Sequence, residues 1–323
     1  MKKTLHTIIH PREVGRFVAS SFNLSVPVAC RLLISGVNEV YRIESDSSRY
    51  IARLSRVERY RPHSEDAYRF ELEALGFLQS RNMPVVGPVV AENDTPLAVL
   101  ETPEGKRYCS LFPFAPGKSV YPMDRDQSFT AGAVLAKIHS TLDDFSTDLE
   151  RFPLEDDYLL ERPVRLFERL YEDERPGDCD LLRGVADDCG KRLSGIDSLA
   201  GEYGVIHGDY WWGNFRFTAE GGITVFDFDS MGLGRRAYDL ACLVAFNRLY
   251  GNRMEGDVID AYFQGYQSVR PLSDDELFLL PYLEKARLIR SIGGWLFYMD
   301  TMGQLYFEPR INRALEVLAD LYE

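Results

Sequence analysis

The sequence predicts an α+β chain: an antiparallel sheet with one major helix as far as about residue 115, then a mostly helical part that carries a short polar hairpin. Three observations predict it. Strand-like runs crowd residues 26–57, apolar residues recur at helical spacing over 67–78, and a strand at 108–112 breaks off in Pro113-Phe114-Ala115-Pro116-Gly117. A period of about two marks strands and one of about 3.6 marks amphipathic helices.

The elements follow in order. Ile34-Ser35-Gly36-Val37-Asn38-Glu39-Val40-Tyr41-Arg42-Ile43 alternates, and Tyr50-Ile51-Ala52-Arg53-Leu54 is the next strand. Ser35-Gly36-Val37-Asn38 is a turn between strands, which on its own is ordinary hairpin punctuation. The helix over 67–78 ends before Pro84. Past the break, residues 129–139 form an apolar helix that ends on His139, where an imidazole can interact with the dipole rather than catalyse. Gly232-Leu233-Gly234-Arg235-Arg236-Ala237-Tyr238-Asp239-Leu240-Ala241 opens another helix, and residues 283–299 form a last one with Arg287 and Arg290 on nearly one face.

Composition bounds the class. At 323 residues the chain can bury two cores, and a hydrophobic content of 45% without a run of 18 apolar residues points to a soluble globular protein with no membrane partner. Met1-Lys2-Lys3 could begin a secretion signal, but Arg12, Glu13 and Arg16 interrupt any apolar stretch behind it. Five widely spaced cysteines make no CxxC pair and no disulfide framework, so a reducing cytoplasm is expected. A net charge of −13 opposes binding to nucleic-acid phosphates. The acids crowd Asp143-Asp144, Glu155-Asp156-Asp157, Glu172-Asp173-Glu174 and Asp187-Asp188, where they either solubilise a surface or attract a cationic amine.

The chemistry concentrates in His207-Gly208-Asp209-Tyr210-Trp211-Trp212-Gly213-Asn214 and Val225-Phe226-Asp227-Phe228-Asp229. Phe215-Arg216-Phe217 and Ile223-Thr224-Val225-Phe226 read as a hairpin around Ala219-Glu220-Gly221-Gly222. Centred near Glu220 and Gly221, the hairpin sets Asn214 opposite Asp227, and cross-strand Cβ atoms lie roughly 5 Å apart. One amide oxygen and one or two carboxylates suit Mg²⁺, which takes its other ligands from water and phosphates. Asp209 stays free to orient an acceptor hydroxyl and take its proton. A lone Asp or Asn in a loop is usually a cap or turn residue. Here, three polar positions surround one apolar hairpin. No second histidine or cysteine neighbours His207, so it reads as structural.

This segment resembles the catalytic loop and metal motif of the aminoglycoside phosphotransferase and choline kinase superfamily, a branch of the protein-kinase-like fold. The pattern there is His-Gly-Asp, four residues, Asn, a hairpin, Ile-Asp-x-[Asp/Glu] and a later Tyr-Asp-Leu-Ala. The matching positions are His207, Gly208, Asp209, Asn214, Asp227, Asp229 and Tyr238-Asp239-Leu240-Ala241. The resemblance implies two lobes, residues 1–115 holding ATP phosphates and 116–323 carrying catalysis. It implies Asp209 as catalytic base, Asn214 and Asp227 as magnesium ligands, Asp229 on the metal or the acceptor, Asp239 bracing the loop and His207 supporting it.

It further implies that Ser35 and Gly36 cover the phosphates, that backbone groups from Leu111 through Phe112 to Phe114 bind adenine, and that Arg53 replaces the usual strand lysine. Its acid partner would be Glu71, which fits Glu-x-x-x-Leu-x-x-Leu with Leu75 and Leu78; Glu73 is the fallback. An Arg–Glu pair there could be bidentate. Of Trp211 and Trp212, one would floor the acceptor pocket and one would pack beneath the loop. The helix with Glu284, Arg287, Arg290, Trp295 and Asp300 resembles the C-terminal helix of homoserine-kinase-like and stress-response-kinase-like members, which puts Trp295 and Arg287 near the acceptor. Arg287 and Arg290 would pair with pocket acids or bind an anionic acceptor.

The expected activity is ATP- and Mg²⁺-dependent phosphoryl transfer to a hydroxyl of a small molecule, an amino alcohol, aminoglycoside-like or homoserine-like compound. Two alternatives stand beside it. A protein Ser/Thr kinase would show an open groove, and a nucleotide-binding pseudokinase acting as an interaction module has only Arg53 in its favour.

Overall fold

Strands β1 (Ala29–Ser35), β2 (Asn38–Ser45), β3 (Ser48–Ser55), β4 (Ala98–Thr102) and β5 (Gly105–Pro113) form one antiparallel sheet in the order β1-β2-β3-β5-β4. The structure, a computed structural model, describes residues 6–61, 63–90, 95–196, 202–254 and 256–322. Met1-Lys2-Lys3 lie outside them.

Alternation along the strands sorts the sheet's two faces. Tyr41, Ile43, Ala52, Leu54, Cys109 and Leu111 pack with Val14, Val18 and Phe22 of α1 (Pro11–Ser21) and its C-terminal cap. The neighbouring positions Tyr108 and Phe112 of β5 meet Tyr68 and Leu72 of α2 (Glu65–Ser80) instead. Arg53 lies between Ala52 and Leu54 and therefore projects on the α2 side. Ser64 caps α2 through the Ala67 N–H at 3.2 Å, which fixes the helix start and so the height of Glu71.

The chain forms two compact units, residues 1–115 with 147–150, and residues 116–146 with 151–323. In the second, α3 (Arg125–Leu142) crosses α7 (Asp257–Gln267) where both carry glycine: a Cβ on Gly132 would stand 1.9 Å from the Tyr262 carbonyl oxygen. A π-helical turn at Asp157–Glu161 leads into α4 (Arg162–Tyr171), and α5 (Pro176–Ser194) follows. Two short sheets, β6 (Tyr203–Ile206) with β9 (Gly232–Arg235) and β7 (Phe215–Phe217) with β8 (Ile223–Val225), carry the polar segment. Then come α6 (Ala237–Leu249), the 29-residue α8 (Asp274–Met302), which starts from a Ser273/Glu276 capping box, and α9 (Gln304–Tyr322).

The architecture is the α+β arrangement expected, an N-terminal antiparallel sheet followed by a mostly helical part. One element differs: Gly232 to Arg235 pair with β6 as a strand, and the helix begins only at Ala237. Glycine is a weak strand former, and here it is used for close approach, since a Cβ on Gly234 would lie 2.8 Å from Ile206 Cδ1. Among the described residues no helix is long and apolar enough to cross a membrane.

Candidate active site

β6 delivers the chain to His207, and a buried carboxylate then fixes the loop. Asp239, in the first turn of α6, accepts the His207 N–H through Oδ2 and the Gly208 N–H through Oδ1, each at 2.7 Å. Gly208 adopts φ +76° and a Cβ there would come within 2.2 Å of the Ser230 carbonyl oxygen, so only glycine passes. His207 Nδ1 accepts the Asp209 N–H at 3.3 Å and Nε2 donates to the Phe226 carbonyl at 3.2 Å. These partners select the neutral Nε2–H tautomer.

His139 also ends on Asp239. It is fully buried, with Nε2 3.0 Å from Asp239 Oδ2 and Nδ1 2.9 Å from the Tyr266 hydroxyl. Burial pulls its pKa below the ordinary histidine value, and the Asp239 carboxylate only partly opposes this. Its position at the end of α3 is as expected, but its bonds are to a side-chain carboxylate and a phenol rather than to a helix terminus.

Asp209 is the centre of the site, with 24% of its side chain exposed. Oδ2 accepts from Asn214 Nδ2 at 2.9 Å, and the same Nδ2 donates to the Asp209 carbonyl at 2.8 Å. Oδ1 accepts from Arg287 Nη2 of α8. Burial raises the Asp209 pKa, but the Arg287 and Arg290 guanidiniums outweigh it and hold the carboxyl below its usual value. Arg287 is itself 2% exposed, bonded through Nη1 to Ser291 Oγ at 2.5 Å and set 4.6 Å over the Phe246 ring.

The hairpin register differs by one residue from that expected. Phe215 pairs with Val225 and Phe217 with Ile223, so Asn214 stands opposite Phe226, whose N–H donates to the Asn214 carbonyl at 2.9 Å. Five residues, 218–222, form the connection, closed by Thr218 N–H to Gly222 O, rather than a turn centred between Glu220 and Gly221. Asp227 is the first residue past the ladder. It is exposed and left-handed, at φ 63° and ψ 59°, a conformation costly outside glycine and typical of functional positions. Asp229 is 9% exposed, and its carbonyl accepts from Arg151 Nη2 at 2.6 Å.

The donor set suits a hard cation. Asn214 spends its NH₂ on Asp209, which leaves its oxygen as the remaining ligand atom, and Asp227 and Asp229 follow in the adjacent turn. Among the described residues no group of three or more His, Cys, Asp or Glu side chains converges on a metal site. A cation here would therefore need further oxygens from phosphates or water, as Mg²⁺ habitually does.

Trp211 and Trp212 diverge. Trp212 is buried and stacks on Tyr121 at 4.0 Å, whereas Trp211 is half-buried and stacks on Phe246 at 4.4 Å, the ring that also carries Arg287. Trp295 is half-buried about two turns past Arg287 and stacks on no ring among the described residues.

In the sheet unit, Arg53 Nη2 bonds Glu71 Oε2 at 2.7 Å, with both side chains buried, and the guanidinium lies 5.2 Å from the Phe112 ring centroid. The pair uses one nitrogen and one oxygen, not the bidentate fork. Glu73 is turned away to the Thr147 hydroxyl at 2.9 Å. Ser35 pairs with Glu39, and Gly36 closes the hairpin, its N–H donating to the Asn38 carbonyl and its carbonyl accepting from Arg56 Nε at 2.5 Å. Two of the backbone groups expected to bind adenine are committed within the sheet unit: the Leu111 carbonyl accepts from Val89 N–H at 2.7 Å, and the Phe114 N–H donates to the Arg49 carbonyl at 3.0 Å.

Known proteins resemble this chain in sequence and in fold. The chain is 31% identical over 300 residues to an uncharacterized protein of Synechocystis sp., covering 93% of this chain and 81% of that one. It is 26% identical to homoserine kinase of Neisseria meningitidis, covering 98% and 99%. In structure it is similar to a microcompartment-associated aminopropanol kinase, with a TM-score of 0.81, 21% identity and 96% of each chain covered. It is also similar to an amicoumacin kinase solved with AMP-PNP and Ca²⁺, with a TM-score of 0.79, 19% identity and 96% and 93% covered. The model of the phosphotransferase enzyme family matches residues 30–272, three-quarters of the sequence, and the chain belongs to that family as a phosphotransferase.

Proposed function

We propose that this phosphotransferase moves the γ-phosphoryl group of ATP to the hydroxyl of a small molecule, with Asp209 as the base. One observation carries the reading: Asp209 is held ionised and oriented by Arg287 and Asn214 while a quarter of its side chain stays accessible. The acceptor O–H donates to Asp209, the oxygen bonds to the γ-phosphorus, the bond from that phosphorus to the β-bridging oxygen breaks, and ADP leaves. The carboxylate takes the proton, a contribution of roughly 10²–10⁴ in rate.

Asn214 and Asp227, with Asp229, would hold a divalent metal, Mg²⁺ by choice of oxygen ligands, which would neutralise charge on the phosphates. Arg53, fixed by Glu71, would contact the nucleotide phosphates below Ser35 and Gly36, and Phe112 would lie toward the adenine. The sheet unit would thus hold ATP and the helical unit would carry catalysis. The names of the relatives, a homoserine kinase, an aminopropanol kinase and an amicoumacin kinase, support a small-molecule acceptor. Five free thiols, four of them buried, suit a reducing cytoplasm.

The test is phosphoryl transfer from γ-labelled ATP to a panel of amino alcohols and hydroxy amino acids, with and without Mg²⁺. Asp209→Asn should lower kcat at least a hundredfold while ATP still raises the melting temperature. Unchanged transfer in that variant would remove Asp209 from the chemistry.

A further inference from the structure

Arg287 and Arg290 stand one turn apart on α8, but their partners differ. Arg287 is buried against Asp209, Ser291 and the Phe246 ring. Arg290 is partly exposed and, among the described residues, bonds a phenol: Nε and Nη2 donate to the Tyr158 hydroxyl at 3.0 and 2.6 Å, and the guanidinium lies 5.3 Å from that ring's centroid. Among the described residues no carboxylate pairs with Arg290.

Two features of Arg290 point to a ligand. Tyr158 occupies the Nε/Nη2 edge of the guanidinium, which leaves one N–H on each Nη at the far edge, the fork that matches a carboxylate bidentately. The charges also do not balance. Arg287 and Arg290 bring two positive charges to one turn of α8, and both Asp209 oxygens are already engaged, by Arg287 and Asn214. A cation held partly out of water without an anion is costly. Arg290 stands one turn from Arg287, whose Nη2 bonds Asp209 Oδ1, so an anion on its free edge would lie near the reacting hydroxyl.

We propose that Arg290 receives the carboxylate of the acceptor, so that the substrate is a hydroxyl-bearing carboxylic acid, in practice a hydroxy amino acid, rather than a purely cationic amine. This rests on the phosphotransferase reading above and deepens it. Arg290 is a specificity-determining residue in this account, not a participant in bond making. Phosphate oxygens of ATP are the other anion that could meet the same edge.

Matched acceptors that differ only by the carboxylate separate the possibilities: homoserine with 3-aminopropan-1-ol, threonine with 1-aminopropan-2-ol, serine with ethanolamine. The native enzyme should show a kcat/KM about tenfold or more higher for the acid of at least one pair, because a site built to bind a polar group rejects the analogue that lacks it. Arg290→Gln should lower kcat/KM for that acid about tenfold more than for its amine partner, through the acid's KM, and Arg290→Lys should fall between. Equal turnover of acid and amine, or equal loss on both in Arg290→Gln, would overturn the assignment. A rise confined to the KM for ATP would give Arg290 to the nucleotide. Should no acid be phosphorylated while ATP still raises the melting temperature, the acceptor class is wrong and the kinase reading survives; should ATP fail to bind at all, both fall together.

Discussion

His139 reaches Asp239 across 100 residues of sequence, with Nε2 3.0 Å from Oδ2, and the same carboxylate carries the two N–H groups of the loop that presents Asp209. A neutral histidine is thus built into the support of the site. Because burial lowers its folded pKa below the unfolded value near 6.5, the stability it contributes is complete above about pH 6.5 and is lost as pH falls toward the folded pKa. Urea midpoints should fall between pH 7.5 and pH 5.5 by more in the native protein than in His139→Gln, which cannot titrate. Equal slopes for the two would show that folding leaves the His139 pKa unshifted.

Asp239→Ala should be among the most damaging single changes. It strips the acceptor from His207 N–H, Gly208 N–H and His139 together, and hydrogen bonds to a charged group contribute about 1.5–3 kcal/mol each. Denaturant unfolding should show a loss of roughly 3–5 kcal/mol, the range for breaking a buried charged network. A loss under 1 kcal/mol would mean that the loop is held by other contacts.

Sequence and structure agree best where spacing is short. Asp209 and Asn214 lie five residues apart, so their place on one loop was legible in the motif although the hydrogen bond between them was not, and the strands that carry Arg53 and Phe112 were legible from their alternation and apolar content. The hairpin slipped by one residue because connection length, which sets register, cannot be read when Thr218 to Gly222 offers several closures. Arg287 reaching Asp209 from 78 residues away, and His139 reaching Asp239, are tertiary contacts that periodicity does not encode. Gly232 and Gly234 hid β9, because in sequence they read as punctuation before a helix.

Glycines give a contrast within one assay. Gly208→Ala needs a left-handed φ, costing about 1–2 kcal/mol, and overlaps the Ser230 carbonyl, costing about 1–3 kcal/mol more. Gly294 sits inside α8 with nothing within 4 Å of the point a Cβ would occupy, so Gly294→Ala should instead stabilise by about 0.5–1 kcal/mol. Thermal melts should move in opposite directions. A lower melting temperature for Gly294→Ala would show that the open space beside α8 is filled in solution.

Arg53 and Glu71 allow structure and function to be separated. Glu71→Leu alone removes the carboxylate bonded to a buried guanidinium and should cost about 3–5 kcal/mol. Adding Arg53→Met removes that charge, and a thioether packs well against the Phe112 ring, so the double variant should recover most of the stability. If Arg53 serves the nucleotide phosphates, the recovered fold should still fail to bind ATP, seen as a melting temperature that no longer rises with ATP and Mg²⁺. A double variant that is both stable and responsive to ATP would make the pair purely structural and leave the phosphates to other groups.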